Sequence, residues 1–403
     1  MPSRGLLAGA LLLALPAAAQ DYPQLAVETD LGLYAVSTTA ASDGERRGSS
    51  LFLWGEIAAG LHVAPGLSLQ GVIAFEPIGE GDATGGTPAD GLIGFRRQAS
   101  YLHTLFLEWK PSETLTLQGG RFIAPFARGH HDLPGILTRI RAHEVTMVGD
   151  ALGIGGTYTF LSHPDLGEHD ISAAVFTLDR TFLSSTWITR RRCCEERYER
   201  FDRNTRAQGG PGNTGQLDNL ALALDGDGFS WAPGLSYHLG LVSRGPGVDG
   251  TAREWGYAAA LRYRHRWTAA HSTLLFVEAV QFRAAGGRPR TEVTLLGTDP
   301  DTGDSLEETV ETTVSERRTF TTLGLQHRWG AWRGTLAWQR DQRKRSADTL
   351  PTENVVEVSL GRDLGAGFGL DVGYQHARYA REEAGRLGTA HAVLVRLGYS
   401  GGF

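Results

Sequence analysis

Connections along this chain alternate short and long from one end to the other. Tight turns such as Val63-Ala64-Pro65-Gly66, Lys110-Pro111-Ser112-Glu113, Asp225-Gly226-Asp227-Gly228 and Leu364-Gly365-Ala366-Gly367 take turns with polar stretches over 77–97, 125–150, 181–215 and 285–312. Between them lie segments of roughly ten residues in which apolar and polar side chains alternate, the period of a strand with two unlike faces. Around 252–268, Trp255, Tyr257, Ala259, Leu261 and Tyr263 share one face, and Glu254, Arg262, Arg264 and Arg266 share the other. A helix would scatter those charges around its circumference, whereas a strand separates them. Tight turns at one rim, long loops at the other and a two-residue repeat between them predict an up-and-down transmembrane β-barrel. A soluble β-sandwich accounts for the alternation but not for the rhythm.

The period-two segments number about sixteen, all antiparallel in an all-β chain. An even count puts both termini at one rim. Short turns then face the periplasm, long loops face outward, and the first strand must pair with the last to leave no open edge in lipid. Arg4, the apolar run over 6–15 and Ala17-Ala18-Ala19 predict a secretory signal cleaved after Ala19, with 20–403 as one barrel domain. That run is too short for a membrane anchor, which takes about 20 apolar residues. A mean hydropathy of −0.21 is compatible with a barrel, because lipid-facing and lumen-facing residues average out. The net charge of −6 argues against nucleic acid as a partner. Cys193 and Cys194 are adjacent and leave three readings open: a vicinal disulfide, a bond to another chain, or no chemistry at all.

Two stretches carry a family resemblance. The last segment places Val393, Val395, Leu397 and Tyr399 on one face and ends at Phe403. It resembles the C-terminal signal that the assembly machinery of Gram-negative outer membranes reads. Residues 115–126 contain Gly120, Arg121, Phe122, Pro125 and Phe126, and Asp150-Ala151-Leu152-Gly153 opens the next strand. These resemble the phosphate-selective (O and P) porins and related porin-like families, in which such a stretch precedes an inward-folding loop. The resemblance implies a passive diffusion channel for small hydrophilic solutes, a homotrimer and no cofactor. It does not carry phosphate selectivity, because the lysines of those channels are missing: Lys110 and Lys344 are the only two here.

The third long connection, 125–150, is therefore the expected constriction, with a short helix within 133–147. Arg121, Arg128, Asp132, Arg139, Arg141 and Glu144 are its candidate pore residues. His130, His131, Asp132 and His143 fit no standard metal-ligand spacing, so no metal is expected. On the polar faces, Glu28, Asp30, Glu56, Glu76 and Glu108 form an acidic arc in the early strands. Arg262, Arg264, Arg266 and Arg333 form a basic ladder in the late ones, with Arg328 and Arg396 on the same side. Opposed arcs would set a transverse field across the lumen. Arginine groups near strand ends (46–47, 96–97, 190–192, 317–318, 343–345) suit the phosphates of lipopolysaccharide, or are simply solvated. The loop 285–312 is expected to be mobile. An outer-membrane hydrolase is a weaker reading, since no Gly-x-Ser-x-Gly elbow marks a nucleophile. A non-conducting structural or surface-binding barrel is the stronger alternative.

Overall fold

The computed structural model describes residues 22–77, 97–193, 197–198, 203–248, 252–287, 290–298, 305–313, 315–346, 350–381 and 386–402. The expected signal, Cys194, Phe403 and the side chain of Cys193 lie outside the described residues.

Sixteen strands close an antiparallel barrel. The first half comprises β1 (Gln24–Ala41), β2 (Gly48–Ala64), β3 (Leu67–Pro77), β4 (Arg97–Trp109), β5 (Leu115–Phe122), β6 (Ala151–His163), β7 (Gly167–Leu178) and β8 (Asn219–Asp227). The second half comprises β9 (Leu235–Arg244), β10 (Glu254–Arg266), β11 (His271–Arg283), β12 (Glu316–Trp329), β13 (Trp332–Arg345), β14 (Glu353–Gly365), β15 (Phe368–Ala380) and β16 (Leu387–Gly402). Each strand pairs with its sequence neighbour, and β1 also pairs with β16 from Glu28↔Gly402 to Ala41↔Ala390. That last ladder removes both edges, which hydrocarbon would not tolerate.

The alternation in the sequence becomes inside and outside. Leu261, Leu275, Leu336, Val358 and Val372 are exposed on the outer surface, while the intervening Ala260, Phe276, Ala337 and Val355 are buried within. Such an apolar belt would be costly in water and is at home against lipid tails. Among the described residues no helix is long and apolar enough to cross a membrane. The crossing is made by strands.

Two long connections add structure beyond the barrel. Ile188–Cys193 pairs with the end of β4, from Ser100↔Ile188 to Arg97↔Arg191. Within the stretch expected to be mobile, Arg290–Thr298 and Ser305–Thr313 form a separate two-stranded hairpin. Its abundance of Thr and Val suits a pleated pair, even though the net composition reads as polar loop.

The third connection turns back into the barrel. It carries α1 (Gly129–Asp132) and α2 (Leu137–Thr146). Ile136, Leu137 and Ile140 pack with Tyr34, Trp54 and Leu394 of β1, β2 and β16. Leu133 and Ala142 pack with Ala260, Phe276 and Phe320 of β10, β11 and β12. One loop thus touches two separate arcs of the inner wall.

Candidate pore constriction

The base of the loop is set by the Gly-Arg-Phe stretch. Gly120 has φ +138°, and a Cβ there would lie 2.5 Å from the Leu105 carbonyl of β4, so only glycine fits. The next residue, Arg121, is 1% exposed. Its Nη1 donates to Asp179 Oδ2 at 2.6 Å, its Nη2 pairs with Asp150, and its Nε donates to the Leu102 carbonyl at 2.9 Å. Asp150 opens β6 and Asp179 follows β7, so one guanidinium fork ties both ends of the loop together. Its carboxylate partners and burial make Arg121 a structural clamp; it does not face lumen water.

Beyond the base, the wall supplies what the loop lacks. Neither helix start has a side-chain cap of its own. A helix start leaves backbone N–H groups without acceptors, and carboxylates are favoured there. Glu278 of β11 accepts from the N–H groups of Arg128 at 2.6 Å and Gly129 at 2.9 Å. Glu357 of β14 accepts from Ile136, Leu137 at 2.9 Å and Thr138 at 3.0 Å. Gln339 of β13 donates to the Thr138 carbonyl at 2.7 Å, and His238 Nε2 of β9 lies 2.7 Å from the Phe126 carbonyl. Arg141 reaches Glu353 at 2.6 Å and Asp341 at 3.6 Å; Arg139 reaches Asp30 at 3.2 Å and lies over the Trp54 ring. The loop is held from several sides by residues far from it in sequence.

No known family profile matches the sequence, and no curated protein sequence matches it. Its barrel is similar to those of solved outer-membrane proteins. The outer membrane channel DcaP of Acinetobacter baumannii superposes with a TM-score of 0.56 at 10% identity, over 94% of this chain and 97% of that one. The trimer form of OmpT, an outer membrane protein of Vibrio cholerae, superposes with a TM-score of 0.52 at 9% identity, over 94% and 100%. At that identity the likeness concerns the fold.

The other candidates fall into distinct settings. Asp132 lies between Arg128 at 3.6 Å and Arg262 at 3.5 Å, so the start of the loop meets the β10 column directly. Arg264 and Arg266 are exposed and have no carboxylate within ion-pair distance among the described residues. Glu144 is exposed on α2. Arg333 is engaged by Asp363 and by Asp371 at 2.8 Å, and Arg328 lies 3.8 Å from Asp363. The late strands therefore mix both signs, and Asp341, Asp363 and Asp371 are the acids that sequence grouping overlooked.

In the early strands, Glu28 and Asp30 share the inner phase of β1 with buried Tyr34 and Val36. Asp30 also meets Arg396 at 3.4 Å, Glu56 meets His103 at 2.7 Å, and Glu108 meets Lys110 at 3.1 Å. Glu76 lies 4.0 Å from His143. Burial pushes His143 down to about 3 and His131 down to about 4, which keeps both imidazoles neutral. Tyr399 packs tilted against Phe368 at 4.9 Å between ring centroids at the outer surface.

Among the rim arginines, Arg318 turns inward and forks onto Asp341 at 2.6 Å. Arg345 pairs with Glu316 at 3.2 Å, and Arg46 covers the Tyr379 ring.

Glu278, Gln339 and Glu357 were not visible as site residues in the sequence. Glu278 and Glu357 are each a single carboxylate in an apolar neighbourhood, such as Val356-Glu357-Val358, on the phase that faces the lumen, whereas Gln339 opens a run of polar residues and carries no such signal. A lone carboxylate on that phase is the signal that marks a loop anchor.

Proposed function

We propose that this chain is a Gram-negative outer-membrane porin, a passive diffusion channel for small hydrophilic solutes or ions. It lies in the cell outer membrane after removal of its signal, and works as a homotrimer. The observation that carries the reading is the third connection, drawn into the barrel and capped at both helix starts by wall carboxylates Glu278 and Glu357. A loop held in this way narrows a lumen while leaving the wall in place to conduct.

Arg128, Asp132, Arg139 and Glu144 form the loop side of the constriction. Arg262, Arg264 and Arg266 form the wall side, and Arg121 and Arg141 hold the loop in place. Glu28 and Glu76 complete the acidic side of the transverse field. With Arg264 and Arg266 free of carboxylate partners among the described residues, the channel favours anions or solutes with an anionic end. The barrel assembly machinery and the phosphates of lipopolysaccharide are its expected partners.

Purified protein in a planar bilayer tests this reading. Stepwise conductance is expected, and silence across salts and voltages would sink it in favour of a non-conducting barrel. Reversal potentials across a salt gradient test the selectivity. The double variant R264A/R266A should move the potential toward cation preference with barrel stability unchanged, and an unmoved potential removes the ladder from the pore.

A further inference from the structure

We propose that Glu56, His103 and His143 bind one divalent transition-metal ion of the zinc type, which ties the constriction loop to the barrel wall. The three residues come from β2, β4 and α2, and one donor atom from each lies within 4.8 Å of the others. His103 reaches the site through a bulge. Val72 pairs with Thr104 and Ile73 with Leu102, which leaves His103 as the extra residue on β4. Bulges of this kind re-aim a side chain, and here the imidazole is aimed at the lumen, 2.7 Å from Glu56.

A hydrogen-bonded Glu–His pair alone does not explain the cluster. The His143 side chain is 7% exposed, and among the described residues its Nε2 has no hydrogen-bond partner. Buried nitrogens are rarely left so, and one beside two other donor groups is where a bound ion would supply the missing partner. The neighbours of the site also have donor chemistry: Glu76 Oε1 is 4.0 Å from that nitrogen, and Met147 Sδ is 3.2 Å from His103 Nε2. Two imidazoles and a carboxylate select a borderline ion such as zinc, cobalt or nickel over magnesium or calcium, which prefer oxygen alone. Tetrahedral zinc with nitrogen at about 2.0–2.1 Å sets its donors about 3.3 Å apart, so the cluster closes by at most about 1.5 Å. Glu76, 4.0 Å from His143 Nε2, would supply the fourth ligand.

The test uses the untagged full-length protein, folded in detergent and stripped with a chelator. Co²⁺ is titrated and its visible absorption is read, because four-coordinate cobalt absorbs far more strongly than the hydrated ion. Saturation at one ion per chain, reversed by Zn²⁺, is expected. H103A and H143A should each weaken binding by more than about 100-fold, the upper range for loss of a mere supporting partner. E56Q keeps a side chain of the same shape and should weaken it as well, so the test survives a misfolded histidine variant. H130A, whose ring lies 6.2 Å from His143, should bind as the parent does. Heat-modifiable gel migration reports folding for every variant. No saturable binding by the folded parent overturns the proposal, as does binding retained in both H143A and E56Q. Because binding is read in detergent, the outcome does not depend on whether the barrel conducts.

Discussion

The third and the sixth long connections leave the same rim and end in different places. The third, between β5 and β6, turns inward and packs on two arcs of the wall. The sixth, between β11 and β12, folds on itself, with Arg290 paired to Thr313 and Thr298 to Ser305. Both are rich in polar residues, so polarity does not decide direction. The destination of the backbone donors and acceptors does. The hairpin satisfies its own ladder, in a sheet separate from that of the barrel. The third connection has short helices whose first N–H groups lack local caps, and the wall answers with Glu278 and Glu357. Its apolar residues, Leu133, Ile136 and Ile140, also find a dry surface on the wall.

The contrast breaks most sharply at Arg121. In R121A the fully buried Asp179 loses its charged partner, and removal of one member of a buried pair costs about 3–5 kcal/mol. The temperature at which the folded band disappears from a heat-modifiable gel should fall markedly. R121K should recover only part of the loss, since an ammonium cannot fork between Asp150 and Asp179. An unchanged midpoint would mean that the clamp does not hold the loop. Glu357 comes next. In E357A three N–H groups of α2 lose their acceptor, at a cost of about 1–3 kcal/mol, with lumen water replacing part of what is lost. Stability should drop less than in R121A, while 133–147 becomes protease-sensitive and single-channel current becomes larger and noisier. Quiet current at the parental level would show that the loop is held by its apolar contacts alone.

The barrel was legible in the sequence because alternation and turn spacing are local properties. Trp255, Tyr257 and Leu261 declare an outer face without reference to any other strand, and sixteen such segments with short and long joins leave one closed arrangement. The place of the third connection was legible too, through Gly120, Arg121 and Phe122. What the sequence hid was long-range. Glu357 caps a helix 221 residues before it, and His103 points inward only because the β4 register slips against β3. The same holds for Arg318 and Arg333, which read as free cations until Asp341 and Asp371 were set beside them by strand pairing. Runs of charge report composition along one strand, while compensation is settled between neighbouring strands.

The smallest effect belongs to the sixth connection. Arg290 and Thr313 are register partners at the base of the hairpin, so a short Asn-Gly turn can replace 291–312 and leave Ala285–Gly287 and Glu316 in place. The excised hairpin forms its own two-stranded sheet, separate from the barrel sheet. Its loss should therefore change stability by no more than about 0.5 kcal/mol, the range for changes away from buried features. A shorter loop also costs slightly less to close, which offsets part of any loss. Conductance and reversal potential should match the parent. A large change in either would place the hairpin over the lumen mouth and make two connections, rather than one, set the passage.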